Sequence, residues 1–222
     1  MIRPKPLKKG DTIGIIGTCS PPKKERIDPA IKWIKSLGLE VVIGRSVNKN
    51  HGYLCGEDKV RADDLNYMFH NKDIKGIFIV RGGYGAARIL NMIDYDNIKK
   101  NPKILAGYSD VTALHIAINQ KCKMITFHTP MPCTEFYTDI DDYTVESFKD
   151  SIFKINYTKK VVNPDKCKSF EGLVKGNACG RITGGNLSII ASLMGTPYEI
   201  NTKNKILFLE DIDESPYKID RM

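Results

Sequence analysis

One serine lies where a strand-like segment gives way to a helix-like one. Gly107-Tyr108-Ser109-Asp110 ends an apolar run and precedes a helical pattern over residues 111–120. At such a sharp turn a serine hydroxyl projects above the edge of the sheet, and the next backbone N–H faces a developing oxyanion. The match to G-x-S-x-G is partial, because Val111 occupies the last glycine position. The spacing therefore allows two interpretations: a nucleophilic serine, or a serine or aspartate that only caps the helix.

A glycine-rich segment, Arg81-Gly82-Gly83-Tyr84-Gly85, also stands between a predicted strand and a predicted helix. Glycines at such a turn let backbone N–H groups approach a phosphate, a carboxylate or an oxyanion. The segment is neither a P-loop nor a complete dinucleotide-binding motif. The alternative is a simple turn with Arg81 paired to a surface carboxylate. Because both this loop and Ser109 follow strands, we expect them at the same ligand-binding edge of the sheet.

Two carboxylates, Glu210 and Asp211, follow the strand-like run 207–209. A serine hydrolase needs such an acid to orient its histidine and to stabilise the imidazolium. The sequence has four histidines: two in polar loop-like surroundings, one on the helix after Ser109 and one at the end of a strand (His51, His70, His115 and His128). His128 is expected near the same sheet edge. None of the four has the sequence context of an obvious general base.

Alternating strand and helix patterns indicate the fold that positions these residues. Strands are predicted over residues 12–17, 39–43, 76–80, 103–108 and 124–127, and helices over 27–38, 57–71, 86–93 and 111–120. Five strands separated by helices predict an α/β, doubly wound parallel sheet. We assign residues 1–155 to this N-terminal domain.

Residues 156–222 are predicted to begin a smaller β-rich C-terminal domain. The glycines between 155 and 185 are typical of short antiparallel strands, followed by a helix over 186–194 and a strand over 206–209. Pro216 suits the first turn of a further helix. That helix has no body before Met222, so we expect the chain to end within an element and the domain to be incomplete.

Composition narrows the function classes. The 222 residues are 41% hydrophobic and 27% charged, with a net charge of +8. The lysines are dispersed and no nucleic-acid-binding motif accompanies them, so we interpret them as a solvated surface or one suited to an acidic small substrate. Six cysteines without a CxxC pair indicate reduced thiols and predict no metal or cofactor. The sequence shows neither a membrane span nor a signal peptide, which predicts a cytoplasmic protein without a membrane partner.

Taken in order, the motifs resemble the LD-carboxypeptidase family of serine peptidases, which includes the microcin C immunity peptidases. They are Arg81–Gly85, Gly107–Thr112, Phe127–Met131, Gly184–Leu187, Gly195–Tyr198 and Leu209–Asp211, preceded by an apolar strand and a Ser-Pro loop. The resemblance covers nearly the whole chain. It implies a flavodoxin-like N-terminal domain, a smaller β-rich C-terminal domain, a homodimer and no metal.

The resemblance also implies a reaction and its residues. Family members remove the terminal D-alanine of murein tetrapeptide at an L-to-D bond during cell-wall recycling, using a Ser-Glu-His triad. By motif, Ser109 is the nucleophile, Glu210 the acid, and the amides of Asp110 and Gly83 the oxyanion hole. We assign substrate binding to Arg81, Gly82, Tyr84 and His128.

The sequence departs from the family in two places. The family's histidine lies beyond the strand that carries Glu210, and none of the four histidines present matches its motif. We therefore expect the 222-residue form to be inactive. His128-Thr129-Pro130 replaces a motif that more often has glycine in the middle. Two alternatives stay open: a microcin C immunity-type peptidase, and a catalytically silent binding protein that lacks the triad histidine.

Overall fold

A computed structural model describes residues 1–154, 161, 163–164, 167 and 172–222. Five strands form one parallel sheet in the order β2-β1-β3-β4-β5. They are β1 (Thr12–Ile16), β2 (Glu40–Ile43), β3 (Ile74–Ile79), β4 (Ile104–Gly107) and β5 (Phe127–His128). This is the flavodoxin-like order of a doubly wound fold, so the predicted fold class is confirmed. In the described part of the chain no helix has the length and apolar character needed to cross a membrane.

Side chains of this sheet alternate between two separate apolar cores. On β3, Ile77 and Ile79 pack with α2 (Asp58–His70) and α4 (Thr112–Cys122). Phe78 points to the opposite face, towards α1 (Ile27–Ser36). Successive residues of a strand face opposite sides, so a buried strand must be apolar at every position. The continuous apolar runs in the sequence follow from this two-sided burial.

Two short helices were not anticipated from the sequence: α3 (Tyr95–Lys100) and α5 (Asp142–Lys149). Both begin at an aspartate cap. The carboxylate of Asp94 accepts the Asn97 N–H at 2.9 Å, and that of Asp141 accepts the Thr144 N–H at 2.9 Å. Such caps satisfy N–H groups that a helix leaves without partners.

Two predicted elements differ in the structure. The helix predicted over residues 86–93 is a 3-10 helix over Ala86–Met92. The carbonyl of Met92, its last residue, accepts a hydrogen bond from the side-chain amide of Asn66 at 2.9 Å. The predicted strand at 124–127 is reduced to Phe127–His128. Met124 instead forms an isolated bridge with Ile2.

The second sheet pairs β6 (Arg181–Asn186) with β7 (Lys205–Glu210), and the two strands are parallel. The expectation of antiparallel strands up to residue 185 is therefore wrong for β6. The reason is α6 (Leu187–Leu193), which returns the chain as the crossover that parallel strands require. The predicted domain boundary near 155 lies outside the described residues. The last helix, α7 (Pro216–Arg221), has Pro216 in its first turn as predicted.

Candidate functional site

Ser109 lies at the turn between β4 and α4 with a backbone φ of 63°. A non-glycine residue in the left-handed region costs about 1–3 kcal/mol and persists only where its surroundings enforce it. A 3-10 turn over Ser109–Val111 leads into α4, and neither element is capped by a side chain at its start. Ser109 and Asp110 therefore do not serve as helix caps, and helix capping does not explain the strained backbone of Ser109.

The glycine loop approaches Ser109 closely. A Cβ at Gly82 would lie 3.0 Å from the Cβ and the Oγ of Ser109, so a larger residue would crowd the serine and glycine allows the close approach. Gly83 has φ 120°, and a Cβ there would lie 2.3 Å from the Oγ of Ser20. Ser20 holds the loop from both sides: its N–H donates to the Gly82 carbonyl at 3.3 Å, and its Oγ accepts the Tyr84 N–H at 3.2 Å. The two loops predicted to meet at the sheet edge do meet.

Two backbone amides border the serine. In the described part of the chain, neither the Gly83 N–H nor the Asp110 N–H donates to a backbone carbonyl outside its own helix. Asp110 lies in the first turn of the 3-10 helix over Ser109–Val111, where N–H groups have no intrahelical acceptor. Such donors beside a serine can bind the oxygen of a tetrahedral intermediate.

Glu210 ends β7 opposite Asn186 of β6. Its Oε1 is buried and has no hydrogen-bond partner among the described residues. Burial, reinforced by the charge of Asp211, raises the pKa of Glu210, and a hydrogen bond with Asn186 opposes the rise. A buried carboxylate oxygen without a donor is costly, so this geometry favours a site that a further N–H group completes.

Asp211 has a different environment from its neighbour. Its carboxylate accepts hydrogen bonds from the Asn186 amide at 3.0 Å and from the Ser188 N–H and Oγ at 2.9 and 2.6 Å. Burial would raise the pKa of Asp211, but these bonds and that of the Ile212 N–H hold it below its ordinary value. Asp211 thus ties α6 to β7, whereas the Oε1 of Glu210 has no donor in the described part of the chain.

Aromatic contacts connect the second sheet to Tyr108, the residue before Ser109. The ring of Phe208 on β7 lies 5.5 Å from that of His128, which lies 5.7 Å from the ring of Tyr108. Burial and a hydrogen bond to Glu135 raise the pKa of Tyr108, and the charge of Glu210 adds to the rise. Glu210 is therefore within electrostatic range of the residue that precedes Ser109.

Glu135 is a residue of this site that no sequence motif selects. Its Oε1 accepts the Tyr108 hydroxyl at 2.7 Å and its Oε2 accepts the Met131 N–H at 2.7 Å. Burial raises the pKa of Glu135. The carboxylate thereby links the strand end that carries Ser109 to the loop after β5, and only the folded chain brings the two together.

The four histidines occupy different environments. His115 is buried and its Nε2 lies 2.8 Å from the Gly107 carbonyl, and burial lowers its pKa to about 4. Burial also lowers the pKa of His128. His51 forms an isolated β-bridge with Leu54, and His70 is the last residue of α2. Across the described residues, none of the four hydrogen-bonds Ser109 or Glu210, so a general base is not identified among them.

The remaining predicted substrate contacts lie around the glycine loop. Arg81 donates from Nη1 to the Pro21 carbonyl at 3.3 Å and so contacts the Ser-Pro loop; no carboxylate of the described residues forms an ion pair with it. Tyr84 is exposed, and its ring meets that of exposed Tyr53 edge-on at 5.6 Å. The described residues contain no cluster of three side chains that could hold a metal ion.

Comparison of this chain with known proteins identifies the family to which it is similar. The family descriptions "LD-carboxypeptidase N-terminal domain" and "LD-carboxypeptidase C-terminal domain" match residues 13–129 and 179–222. The probable murein peptide carboxypeptidase of Bacillus subtilis (strain 168) is 43% identical over 221 residues, which are 99% of this chain and 68% of that protein.

Solved structures agree with the sequence matches. The microcin C7 self-immunity protein MccF in its wild-type apo state superposes with a TM-score of 0.87 at 31% identity, covering 100% of this chain and 74% of that one. Muramoyltetrapeptide carboxypeptidase from Oxalobacter formigenes superposes with a TM-score of 0.78 at 28% identity, covering 95% and 69%. The chain therefore belongs to the LD-carboxypeptidase family of peptidases.

Proposed function

We propose that this protein is a serine carboxypeptidase that releases the terminal D-alanine of murein tetrapeptide at its L-to-D bond in cell-wall recycling. The observation that carries the proposal is the left-handed backbone of Ser109, φ 63°, set against Gly82 and the amides of Gly83 and Asp110. The 43% identity to a probable murein peptide carboxypeptidase supports the substrate class.

The proposed mechanism is acyl transfer. The Oγ of Ser109 attacks the scissile carbonyl, and the amides of Gly83 and Asp110 bind the oxyanion. D-Alanine then leaves, and water hydrolyses the acyl-enzyme. Losing one oxyanion donor in such a site lowers turnover by about 10²–10³. Arg81, Gly82, Tyr84 and His128 line the substrate side.

Glu210 is the proposed acid of the triad. A triad acid accepts the Nδ1–H of a histidine and stabilises the imidazolium, and the unpartnered buried Oε1 of Glu210 suits that role. The family order of serine, glutamate and histidine implies a base that follows Glu210. Because none of the four histidines hydrogen-bonds Ser109 or Glu210 among the described residues, we expect the 222-residue polypeptide alone to turn over slowly or not at all.

The remaining features of the proposal follow from the family. The enzyme uses no cofactor, acts in the cytoplasm and forms a homodimer. Its basic surface, with a net charge of +8, suits a peptide substrate that carries carboxylates.

The test is D-alanine release from anhydro-muropeptide tetrapeptide. The protein expressed from its natural reading frame is compared with its Ser109→Ala and Glu210→Gln variants and with the 222-residue polypeptide. We expect release only from the unsubstituted natural protein. Equal release by Ser109→Ala would overturn the assignment of the nucleophile, and full activity of the 222-residue polypeptide would mean that another group, such as His128, acts as base.

A microcin C immunity-type activity is the second candidate, and the observation that favours it is the exposed ring pair of Tyr53 and Tyr84 beside the glycine loop. Aromatic rings of this kind stack on nucleobases. Hydrolysis of a peptidyl-nucleotide amide in preference to the muropeptide would select this activity. Binding of either compound without Ser109-dependent hydrolysis by the natural protein would select a silent binding protein.

A further inference from the structure

A fully buried arginine contacts the glycine loop beside Ser109 and the Ser-Pro loop that packs against it. Arg61 lies on α2 with its side chain completely inaccessible. Its Nη1 donates to the Gly85 carbonyl at 2.8 Å and also to the carbonyl of Thr18. Thr18 follows β1 and leads to Ser20, and Gly85 closes the glycine loop. One guanidinium therefore joins the two loops from below.

Burying the guanidinium of Arg61 costs free energy, and filling space in the core does not require a charged side chain. Removing an arginine from water costs several kcal/mol unless its partners are well placed. Its carboxylate partner, Asp58, is shared with Arg88, whose Nε and Nη2 donate to it at 3.0 and 2.8 Å. The Nε of Arg61 has no acceptor within the described residues. An apolar side chain would fill the space at lower cost, so the carbonyl contacts are the distinctive feature of Arg61.

The other side of the glycine loop is held by the residue after Ser109. The carboxylate of Asp110 is buried and accepts the Ala86 N–H at 2.8 Å. Burial raises the pKa of Asp110, and the Ala86 hydrogen bond, the Cys19 thiol and the charge of Arg61 oppose that rise. The carboxylate thus fixes the loop next to Gly85, where Arg61 holds the carbonyl.

We propose that Arg61 and the carboxylate of Asp110 form a buried clamp that positions the Gly83 N–H opposite the Asp110 N–H. Arg61 touches no reacting atom in this arrangement and is a positioning residue. Gly85 permits the clamp, because a Cβ there would lie 2.7 Å from the Nη1 of Arg61. The catalytic consequence rests on the proposed function, whereas the effect on loop order does not.

The first test measures loop order in the 222-residue chain by amide hydrogen exchange over residues 18–20 and 81–86. Arg61→Met removes both carbonyl contacts, and Arg61→Lys keeps the charge but loses the forked geometry. Arg88→Met is the matched control, because it also removes a partner of Asp58 but no loop-carbonyl contact from a guanidinium. We expect exchange in both loops to rise on the order of tenfold to a hundredfold in Arg61→Met, less in Arg61→Lys, and not in Arg88→Met.

Two results would overturn the clamp. One is unchanged exchange in a folded Arg61→Met chain. The other is global unfolding of both Arg61 variants while Arg88→Met stays folded, because that would show a general stabilising role.

The second test measures muropeptide hydrolysis by the natural protein. An oxyanion hole acts in the transition state, so we expect Arg61→Met to lower kcat by about 10²-fold with little change in KM. A rise in KM alone would contradict this positioning role. If the unsubstituted protein shows no Ser109-dependent hydrolysis, the proposed function fails, and the exchange measurement still decides the clamp.

Discussion

At the scale of single residues, Ser109 combines conformational strain with proximity to the amides of Gly83 and Asp110, for which no backbone acceptor outside their own helix is found among the described residues. Strain of this kind persists where function requires the geometry, and it predicts opposite effects of substitution on stability and on activity. Lys123, which directly follows α4 with φ 52°, shares the left-handed backbone but belongs to neither of the loops beside Ser109. The two residues therefore form a matched pair.

We predict that Ser109→Gly stabilises the protein, because glycine adopts positive φ without strain. Removing the backbone strain should stabilise the folded state by about 1–2 kcal/mol, and glycine also makes the unfolded chain more flexible, which offsets part of this gain. We therefore expect a net increase of roughly 0.5–1 kcal/mol in the free energy of unfolding and of about 1–4 °C in Tm. Lys123→Gly should give a similar gain. Ser109→Gly should abolish D-alanine release by the natural protein, and Lys123→Gly should leave it intact. Thermal unfolding and the release assay measure both effects.

A loss of stability in Ser109→Gly, with a gain in Lys123→Gly, would contradict the interpretation of strain at Ser109. Hydrogen bonds of the serine would then outweigh its backbone cost.

At the scale of elements, the parallel pairing of β6 with β7 places Glu210. Gly184 of β6 has φ 134° and faces Phe208, and a Cβ there would lie 1.8 Å from the Phe208 carbonyl oxygen. The two strands can keep this register only with glycine at that position. Gly180, just before β6, offers a comparison, because a Cβ there would meet nothing closer than 3.6 Å.

We predict that Gly184→Ala separates β6 from β7 and destabilises the protein by about 2–4 kcal/mol, whereas Gly180→Ala changes stability by less than about 0.5 kcal/mol. Denaturant unfolding followed by fluorescence and circular dichroism measures the difference. Because Glu210 ends β7, Gly184→Ala should also reduce D-alanine release in the natural protein more than Gly180→Ala does. Equal stability of the two variants would show that the chain can shift around an added methyl group.

How far the sequence predicts these elements depends on the distance between partners in the chain. The strand, turn and helix around Ser109 are local, and so is the glycine loop, and parallel strands bring both turns to one edge. The pairing of β6 with β7 is set by a crossover helix, and glycines alone do not distinguish it from a hairpin. The burial of Arg61 is also not predictable from the sequence. An arginine on a helix with charged neighbours is expected at the surface, and only tertiary contacts bury it.

At the scale of the whole molecule, the two sheets meet at the proposed site. A Cβ at Gly185 of β6 would lie 2.5 Å from the Oγ1 of Thr112 on α4, and Thr112 accepts the Asn186 N–H at 3.0 Å. The second sheet is thereby fixed against the helix that follows Ser109. Away from this contact, apolar side chains of β7 stay accessible: Ile206, Leu207, Phe208 and Leu209 are 38–45% exposed.

We predict that these side chains make the 222-residue chain self-associate, because a strand that exposes apolar side chains on both of its faces favours burial against another copy. Sedimentation velocity over a range of protein concentrations should show species that grow beyond a dimer. Leu207→Lys places a charge in the middle of β7 and should weaken the association, and Val42→Lys, at the similarly exposed β2 position of the main sheet (39%), should not. Monodisperse behaviour at every concentration would contradict the prediction, and so would equal effects of the two substitutions, because association would then not depend on β7.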